Sequence, residues 1–460
     1  MDYLEFLKGK APAAVERGFE PEPMPSHLFP HQRATLEHNI RCGSAGAFLD
    51  TGLGKTVVEL EWARQCAEAS NGCALILTPL AVARQIEREG KRFDYQIRVV
   101  RDQSEVAEGI NVCNYDRLHM LDADSFGAVA LDESSIIKNF SGKITRSLIE
   151  MFGQHRFKLS STATPAPNDH MELGQHSEFC GVMQSNEMLS MFFINDTSLA
   201  SQEWRLKRHG VDAFWDWMAS WSRMAQMPSD LGFSDEGFSL PPLNVHTVKT
   251  ENAKPVDGGD LFGGHHISAT DMHRIKRATS EARAAAVAEL AMSDREPWVL
   301  WCDTDYEADA ILAALKDAEG IAEIRGSQTP EKKESVLEAF ADGSTRVLIT
   351  KPSLTGFGLN WQHCNRTAFV GRTFSYESWY QAVRRFWRFG QTSPVDCYVI
   401  VAEGEDQISR VIDRKANDHS GMKAAMAKAM RRSREQRAQV RTSYIPTHTG
   451  TLPTWIRSAA

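Results

Sequence analysis

The amino-acid sequence predicts an α/β protein with parallel sheets flanked by helices and more than one domain. Short apolar runs, such as 73–79 (CALILTP), alternate with stretches of helical pattern. This alternation is typical of a parallel sheet that is covered by helices on both faces. The chain has 460 residues, more than one typical hydrophobic core accommodates. Apolar runs return after residue 290 and predict a second α/β unit, at 297–302, 346–350, 367–371 and 397–401.

The composition excludes several classes of protein. Hydrophobic residues make up 42% and charged residues 24%, which is usual for a water-soluble globular chain. No apolar run approaches the ~20 residues that span a bilayer, and the first ten residues lack a secretory pattern. The eight cysteines are scattered without a C-x-x-C pair, which argues against a disulfide framework or a zinc site. We therefore expect a cytoplasmic protein without a membrane segment.

The charge is acidic overall but unevenly distributed. The formal net charge is −8, whereas residues 408–441 contain ten Lys or Arg and three Asp or Glu. Such a basic stretch can follow the phosphates of a nucleic acid. It can equally be the solvated face of a helix, and the charge pattern alone leaves both interpretations open.

The first element with chemical meaning is an amphipathic helix that begins near residue 30, in LFPHQRATLEHNI, and carries Gln32 near its start. A glutamine amide has both donor and acceptor groups, so Gln32 can read the edge of adenine. A surface or capping role is the alternative.

Residues 47–56 (AFLDTGLGKT) then predict a phosphate-binding loop between a buried strand and a helix. Glycines let backbone N–H groups wrap a phosphate, Lys55 would reach the β- and γ-phosphates, and the Thr56 hydroxyl would hold Mg²⁺. Leu49 stands where the longer form of the motif has glycine, but the shorter form T-G-x-G-K-T fits fully. The loop residues that would contact the nucleotide are Thr51, Gly52, Leu53, Gly54, Lys55 and Thr56.

Two acids follow the next buried strand, 128–131 (AVAL). In a chain with a phosphate loop, Asp132 at a strand end is the second anchor for Mg²⁺, and Glu133 is placed to polarise the attacking water. Two solvated acids in a strand-end turn are the alternative. A hydroxyl-rich turn with Thr162 and Thr164 comes next and carries little chemical information alone.

The strand–helix alternation lapses from 170 to about 243, where five aromatic residues cluster. Phe214, Trp217 and Trp221 fall on one helix face, so they predict either the core of a small helical subdomain or a platform for stacking on bases. The glycine-rich stretch 254–266 that follows predicts a linker or surface loop.

The second unit has no phosphate loop. It has a turn after a strand that contains Gly356, Gly358 and Asn360, and then the segment 381–391 (QAVRRFWRFGQ). Arg385 and Arg388 are predicted to share one helix face, from which they can meet the γ-phosphate across a cleft. A basic amphipathic helix without such a role is the alternative.

In order, FPHQ, DTGLGKT, ILTP, DESS, STATP, GFGLN and QAVRRFWRFGQ resemble the motifs of superfamily-two helicases over residues 28–415. The branch that they resemble is the Swi/Snf-like translocases, whose last motif ends in R-x-x-R-x-G-Q, and the compact build is similar to that of short phage and prophage helicases of DEAD/DEAH-box-like type. Ser134 and Ser135 depart from the family's Ala-His, and Ser135 is a candidate substitute for that histidine.

The resemblance implies two RecA-like lobes with ATP and Mg²⁺ between them. The expected organisation is an N-terminal segment (1–27), a first lobe (28–169), a helical insertion (170–245), a linker (246–269), a second lobe (270–415) and a basic tail (416–460). It implies that Gly356, Gly358 and Asn360 join the nucleotide site and that Thr162, Thr164 and Gln381 couple nucleotide state to lobe movement. Candidate nucleic-acid contacts are Thr78, Arg84, Lys351, Arg431, Arg432 and Arg434.

The sequence therefore predicts an ATP-driven translocase on double-stranded DNA. We expect the protein to be a monomer, and the sequence does not indicate its protein partners. A strand-separating helicase on DNA or RNA is the alternative among enzymes. A nucleotide-switched binding module is the alternative from another class, although such a module needs neither Glu133 nor the two arginines.

Overall fold

The computed structural model describes residues 16–79, 82–140, 142–167, 169–196, 203–250, 274, 276–355, 361–370, 376–402 and 420–433. These residues form two parallel sheets and one short antiparallel hairpin. The strands are β1 (Ser44–Leu49), β2 (Cys73–Thr78), β3 (Ile97–Val99), β4 (Gly109–Asn114), β5 (Ala128–Leu131), β6 (Phe157–Ser161), β7 (Phe193–Asp196), β8 (Glu203–Leu206), β9 (Ser222–Ala225), β10 (Leu243–Thr250), β11 (Trp298–Trp301), β12 (Ile321–Glu323), β13 (Val347–Thr350), β14 (Arg366–Phe369) and β15 (Val395–Ala402).

The α-helices, in chain order, are α1 (Pro30–Cys42), α2 (Lys55–Glu68), α3 (Ala83–Lys91), α4 (Lys143–Phe152), α5 (Leu173–Phe179), α6 (Ser185–Phe192), α7 (Val211–Trp221), α8 (Ser280–Met292), α9 (Asp305–Ala314), α10 (Pro330–Ala341), α11 (Pro352–Thr355), α12 (Tyr376–Val383) and α13 (420–433). Short 3₁₀ turns include Ser134–Lys138 and Pro228–Leu231. No helix in the described ranges is long and apolar enough to cross a membrane.

The first sheet has the strand order β3-β4-β2-β5-β6-β1-β9, with every neighbouring pair parallel. Side chains alternate across it, so Leu75 and Leu77 belong to the core on one face while Ala74 and Ile76 belong to the core on the other. The carboxyl ends of β1, β2, β5 and β6 meet at one edge, where ligands of such sheets bind. The second sheet, β10-β15-β14-β11-β13-β12, is also parallel and has helices packed on both faces. The prediction of two α/β lobes is confirmed.

The predicted helical insertion at 170–245 is wrong in two respects. β7 and β8 form an antiparallel hairpin, and β9 joins the first sheet beside β1, with Gly46 opposite Ser222. The aromatic cluster does belong to the core, because Phe214 and Trp221 have no exposed surface and Trp217 is 2% exposed. The alternative that these side chains stack on bases is therefore wrong, because no base can reach them.

The predicted linker at 246–269 is wrong in its first part. Residues up to Thr250 belong to β10, which pairs over its full length with β15 at the edge of the second sheet. The sequence LNVHTVKT hides this strand because most of its side chains are exposed, so no continuous apolar run marks it. The second lobe therefore begins near Leu243.

The predicted basic tail at 416–460 contains a helix, α13, over its described residues 420–433. Helix α13 packs Met422, Met426 and Met430 into the core of the first lobe. Its described part is therefore docked on the protein by an apolar face.

Candidate active site

The phosphate loop connects β1 to α2 with the geometry that anion binding needs. Gly52 and Gly54 have φ values of 94° and 81°, a region that costs other residues free energy. A Cβ at Gly54 would come within 2.1 Å of the Gln32 amide nitrogen, and one at Gly52 within 2.9 Å of the Phe389 backbone nitrogen. The φ values favour glycine at both positions, and at Gly52 the nearby backbone of Phe389 excludes a side chain as well.

Lys55 and Thr56 open helix α2, whose N-terminus faces the loop. Both side chains are half-buried. The Lys55 ammonium donates to the Leu49 carbonyl, 3.1 Å away, which holds it across the loop. Lysine, threonine and the first backbone N–H groups of α2 thus lie together at the carboxyl end of β1.

Gln32 lies beside this loop, and part of its side-chain amide is already hydrogen-bonded within the protein. Its side-chain oxygen accepts from the Phe29 backbone N–H at 2.9 Å, and its nitrogen donates to the Leu53 carbonyl at 3.0 Å. His31 contacts the same carbonyl at 3.1 Å. An amide has two donor hydrogens and two acceptor lone pairs, so Gln32 retains one of each for a base. The predicted adenine contact stays a prediction.

Asp132 and Glu133 follow β5 at the same edge of the sheet. Asp132 is 8% exposed, and burial together with the charge of Glu133 raises its pKa to about 7. Glu133 adopts a left-handed backbone conformation with φ of 49°, a costly state for a residue with a side chain. Strain at an acid directly behind a phosphate loop is typical of a functional site.

Thr78 corrects the sequence-based prediction, which placed it against nucleic acid. It is fully buried at the end of β2, and its hydroxyl donates to the Asp132 carboxylate at 2.9 Å. Thr78 therefore supports an acidic residue of the site. The neighbouring turn is similar: the Thr162 hydroxyl donates to Glu133 at 3.5 Å, and the Thr164 N–H donates to the Thr162 hydroxyl at 3.1 Å.

The loop that contains Thr162 and Thr164 is held from behind by His176, which is fully buried on α5. One ring nitrogen donates to the Pro165 carbonyl at 2.8 Å, and the other accepts from the Ser160 hydroxyl at 2.7 Å. These partners fix a neutral tautomer, and burial lowers the pKa of His176 to about 4.

Arg385 and Arg388 of the second lobe are buried and experience the negative charge of acids in the first lobe. Arg385 is 6% exposed; burial and the positive charge of Arg388 lower its pKa to about 9, while Glu133 and Asp132 act in the opposite direction. Burial also lowers the pKa of Arg388, and Glu89 of α3 opposes this shift. The prediction that Arg385 and Arg388 share one helix face is wrong, because α12 ends at Val383 and both arginines lie in the turns that follow.

Sequence reasoning missed several residues of this cleft. Glu59, fully buried on α2, lies near Asp132 and Lys55, and its pKa is raised well above the usual range, first by burial. Asp50 meets Tyr380, Arg384 and Lys423 from distant parts of the chain. The position of Glu59 within the apolar pattern VVELEWA indicates a buried acid and could have identified it from the sequence. Nothing in the sequence around Asp50 indicates its partners, because they are far away along the chain.

Other predicted contacts lie elsewhere or are already paired. Lys351 forms an ion pair with Asp305 at 2.9 Å inside the second lobe, and Arg84 pairs with Glu87 at 3.2 Å while its side chain is 64% exposed. Gln381 is half-buried, and its amide nitrogen has no partner among the described residues. Gly356, Gly358, Asn360 and Arg434 lie outside the described residues.

Arg431 and Arg432, predicted to contact nucleic acid, instead point to acids of the first lobe. Arg431 pairs with Asp230 at 3.3 Å, and Arg432 lies 2.6 Å from Asp212 and 2.9 Å from Asp216. Because a side chain that is paired within the protein has to leave its partner to bind a phosphate, these contacts weigh against that prediction.

Part of the second lobe matches a known family model. Residues 282–390 match the family model described as the helicase conserved C-terminal domain. None of the curated proteins with which the sequence was compared matches it. One solved structure that the chain is similar to is the SWI2/SNF2 ATPase core of Sulfolobus solfataricus in complex with dsDNA. The two are 16% identical, the match covers 92% of this chain and 98% of that one, and the TM-score is 0.41. Residues 282–390, which lie in the second lobe, are thus similar to a helicase C-terminal domain.

Proposed function

We propose that the protein hydrolyses ATP in the cleft between its lobes and uses the cycle to translocate along double-stranded DNA, as Swi/Snf-like enzymes do. The observation that carries this proposal is that the arginine segment of the second lobe adjoins the phosphate loop of the first. Arg384 donates to the Thr51 carbonyl at 2.8 Å, and the negative charges of Asp132 and Glu133 act on Arg385. A buried arginine has a high desolvation cost, which is offset when it faces negative charge. The γ-phosphate of ATP would add such charge at this point.

The nucleotide would lie with its phosphates on the loop that contains Gly52 and Gly54. Lys55 would exchange its bond to the Leu49 carbonyl for one to a phosphate oxygen. Thr56 and Asp132 are the residues that would hold Mg²⁺, which would neutralise part of the charge of the phosphates. The donor set fits this ion: one hydroxyl and one carboxylate leave the remaining positions to phosphate and water, as is usual for Mg²⁺. No group of three or more His, Cys, Asp or Glu in the described ranges offers a cage made of protein alone.

Hydrolysis would then depend on Glu133 and the two arginines. Glu133 would orient the attacking water and accept its proton, and Thr162 would hold the carboxylate in place through the contact at 3.5 Å. Arg385 and Arg388 would stabilise the charge that develops on the transferred phosphoryl group, a role worth ~10³-fold or more in turnover.

Movement would follow because the lobes touch through groups at this same site. Lys138, in the turn after Glu133, forms an ion pair with Glu377 of α12 in the second lobe. Thr162 and Thr164 are proposed to transmit the loss of the γ-phosphate to this interface. Ser135 is buried in the same turn and takes the position of the family's histidine.

Double-stranded DNA is proposed as the track because the resemblance is to a branch that follows the backbone of duplexes. The aromatic side chains of α7, the sequence's candidates for base stacking, are buried in the core. A motor without such a platform holds phosphates, and its binding is insensitive to base sequence.

The test is ATP hydrolysis measured in parallel without polymer and with single-stranded DNA, duplex DNA and RNA. We expect duplex DNA to stimulate turnover most, irrespective of its sequence. Greater stimulation by a single strand would instead favour a strand-separating helicase. Binding of ATP without any turnover would favour the nucleotide-switched module.

A further inference from the structure

A buried charge cluster surrounds Asp50, the residue between β1 and the phosphate loop. The Tyr380 hydroxyl donates its one hydrogen to this carboxylate, whose two oxygens lie 2.6 and 2.8 Å from the hydroxyl oxygen. Arg384 lies 3.1 Å from one oxygen, and the Lys423 ammonium lies 2.8 Å from the other. Lys423 also donates to the Tyr380 hydroxyl at 2.6 Å, so Asp50 contacts all three other groups and two of those contact each other.

The cluster unites three parts of the chain. Asp50 belongs to the first lobe, Tyr380 and Arg384 to the second, and Lys423 to helix α13. All four side chains are at least nine-tenths removed from solvent. Ion pairs of this kind are little screened by salt, and the loss of one partner leaves an uncompensated buried charge.

This cluster also fixes the first residue of the phosphate loop. Asp50 accepts from the Thr51 N–H at 2.7 Å, and Arg384 donates to the Thr51 carbonyl at 2.8 Å. Both backbone groups of Thr51 are therefore bound by the cluster. The next residue, Gly52, is the one that closely approaches Phe389 of the second lobe.

The charges favour this arrangement. Burial alone would raise the pKa of Asp50, but the positive charges of Arg384 and Lys423 outweigh it and hold that pKa far below its usual range. Burial raises the pKa of Tyr380 well above its usual range, so the hydroxyl stays protonated and can donate. One carboxylate thus faces two cations and a neutral donor.

Helix α13 brings Lys423 to this place. Met422 and Met426 pack into the first-lobe core on either side of the lysine, and Arg432 pairs with Asp212 and Asp216 further along the helix. The helix is thus held by the first lobe, while its lysine contacts a tyrosine of the second.

We propose that Lys423 is a positioning residue for ATP hydrolysis, which joins Asp50 to Tyr380 when the lobes meet and so fixes the start of the phosphate loop. The second part of the proposal is that docking of α13 is required for full turnover. It rests on the ATPase activity and does not depend on which polymer is tracked.

The test compares Lys423→Met with Lys428→Met, in the full chain. Both substitutions remove a charge from α13 and keep an unbranched side chain, but Lys428 is exposed. We expect Lys423→Met to lower kcat by about tenfold or more, because a small misplacement remote from the chemistry can cost this much. KM for ATP should stay near the parent value, and Lys428→Met should behave as the parent.

A double-mutant cycle with Tyr380→Phe separates positioning from a merely structural role. If both groups act through one cluster, the double variant should be no slower than Lys423→Met alone. Effects on kcat that multiply, or an unchanged kcat in Lys423→Met, would overturn the proposal. Met426→Ala weakens the packing of α13 on the first lobe and should also lower kcat; parent-level kcat together with a lowered Tm in that variant would overturn the second part of the proposal.

Tyr380→Phe also serves where Lys423→Met does not fold, because it removes only one hydroxyl. Parent-level kcat in that variant would overturn the proposal, and a loss of kcat at unchanged Tm would support it. Turnover is measured with and without duplex DNA. A parent enzyme that hydrolyses ATP but ignores duplex DNA would contradict the proposed track and leave this test intact.

Discussion

Replacing Thr78 by valine tests the assignment of the acidic site without disturbing its shape. The Thr78 hydroxyl donates to Asp132 at 2.9 Å, and both side chains are buried, so no water replaces the lost bond. A hydrogen bond to a charged group contributes about 1.5–3 kcal/mol. If Asp132 holds Mg²⁺, this loss should appear as a fall of ~10- to 150-fold in turnover at limiting Mg²⁺, partly restored by excess Mg²⁺.

The measurement is phosphate release as a function of Mg²⁺ concentration at saturating ATP, with Thr367→Val as the control. Thr367 is a fully buried strand threonine of the second lobe that donates to the Val299 carbonyl at 3.0 Å. That variant should lose stability but keep the parent's dependence on Mg²⁺. Parent-like Mg²⁺ dependence in Thr78→Val would refute the reasoning, and weakened DNA binding with intact turnover would return Thr78 to the nucleic-acid surface.

Three further predictions concern the same cleft. Glu133→Gln should bind ATP without turnover, whereas Lys55→Ala should lose tight ATP binding. Filter binding of the nucleotide, measured beside phosphate release, separates the two effects. Parent-level turnover in Glu133→Gln would contradict the role of Glu133 as the base. Arg388→Ala should lower polymer-stimulated turnover by ~10³-fold with ATP affinity nearly intact, and full activity of residues 1–245 alone would contradict a site shared by both lobes. The pKa of His176 is about 4 in the folded protein and 6.5 in the unfolded chain, so the unfolded chain binds a proton first as the pH falls. The free energy of unfolding should therefore fall by up to ~3 kcal/mol between about pH 6.5 and pH 4. Urea unfolding of His176→Gln should lack this pH-dependent component.

The parts of the fold and site that the sequence predicts are those set by neighbouring residues. A phosphate loop needs glycines, a lysine and a hydroxyl within a few positions, so Gly52, Gly54, Lys55 and Thr56 are recognisable without a structure. Asp132 and Glu133 are recognisable because they directly follow an apolar strand. The two α/β lobes follow from the same alternation of apolar runs and helices.

The parts that the sequence does not predict depend on long-range contacts or on exposed strands. β10 has most of its side chains in solvent, and β9 sits among helices, so neither shows the apolar run of a buried strand. Asp50 and Lys423 are 373 residues apart, and nothing near either one indicates its partner. The sequence wrongly places Thr78 against nucleic acid, because the local pattern does not reveal which side chains at a strand end are buried.

The central claim is that ATP hydrolysis moves the protein along duplex DNA without separating the strands. Displacement of a third strand from a short triplex, placed downstream on a longer duplex, measures this directly. We predict ATP-dependent release of the third strand while the duplex stays paired, and no release by Glu133→Gln. ATP hydrolysis without release of the third strand, or release accompanied by separation of the duplex, would contradict the account.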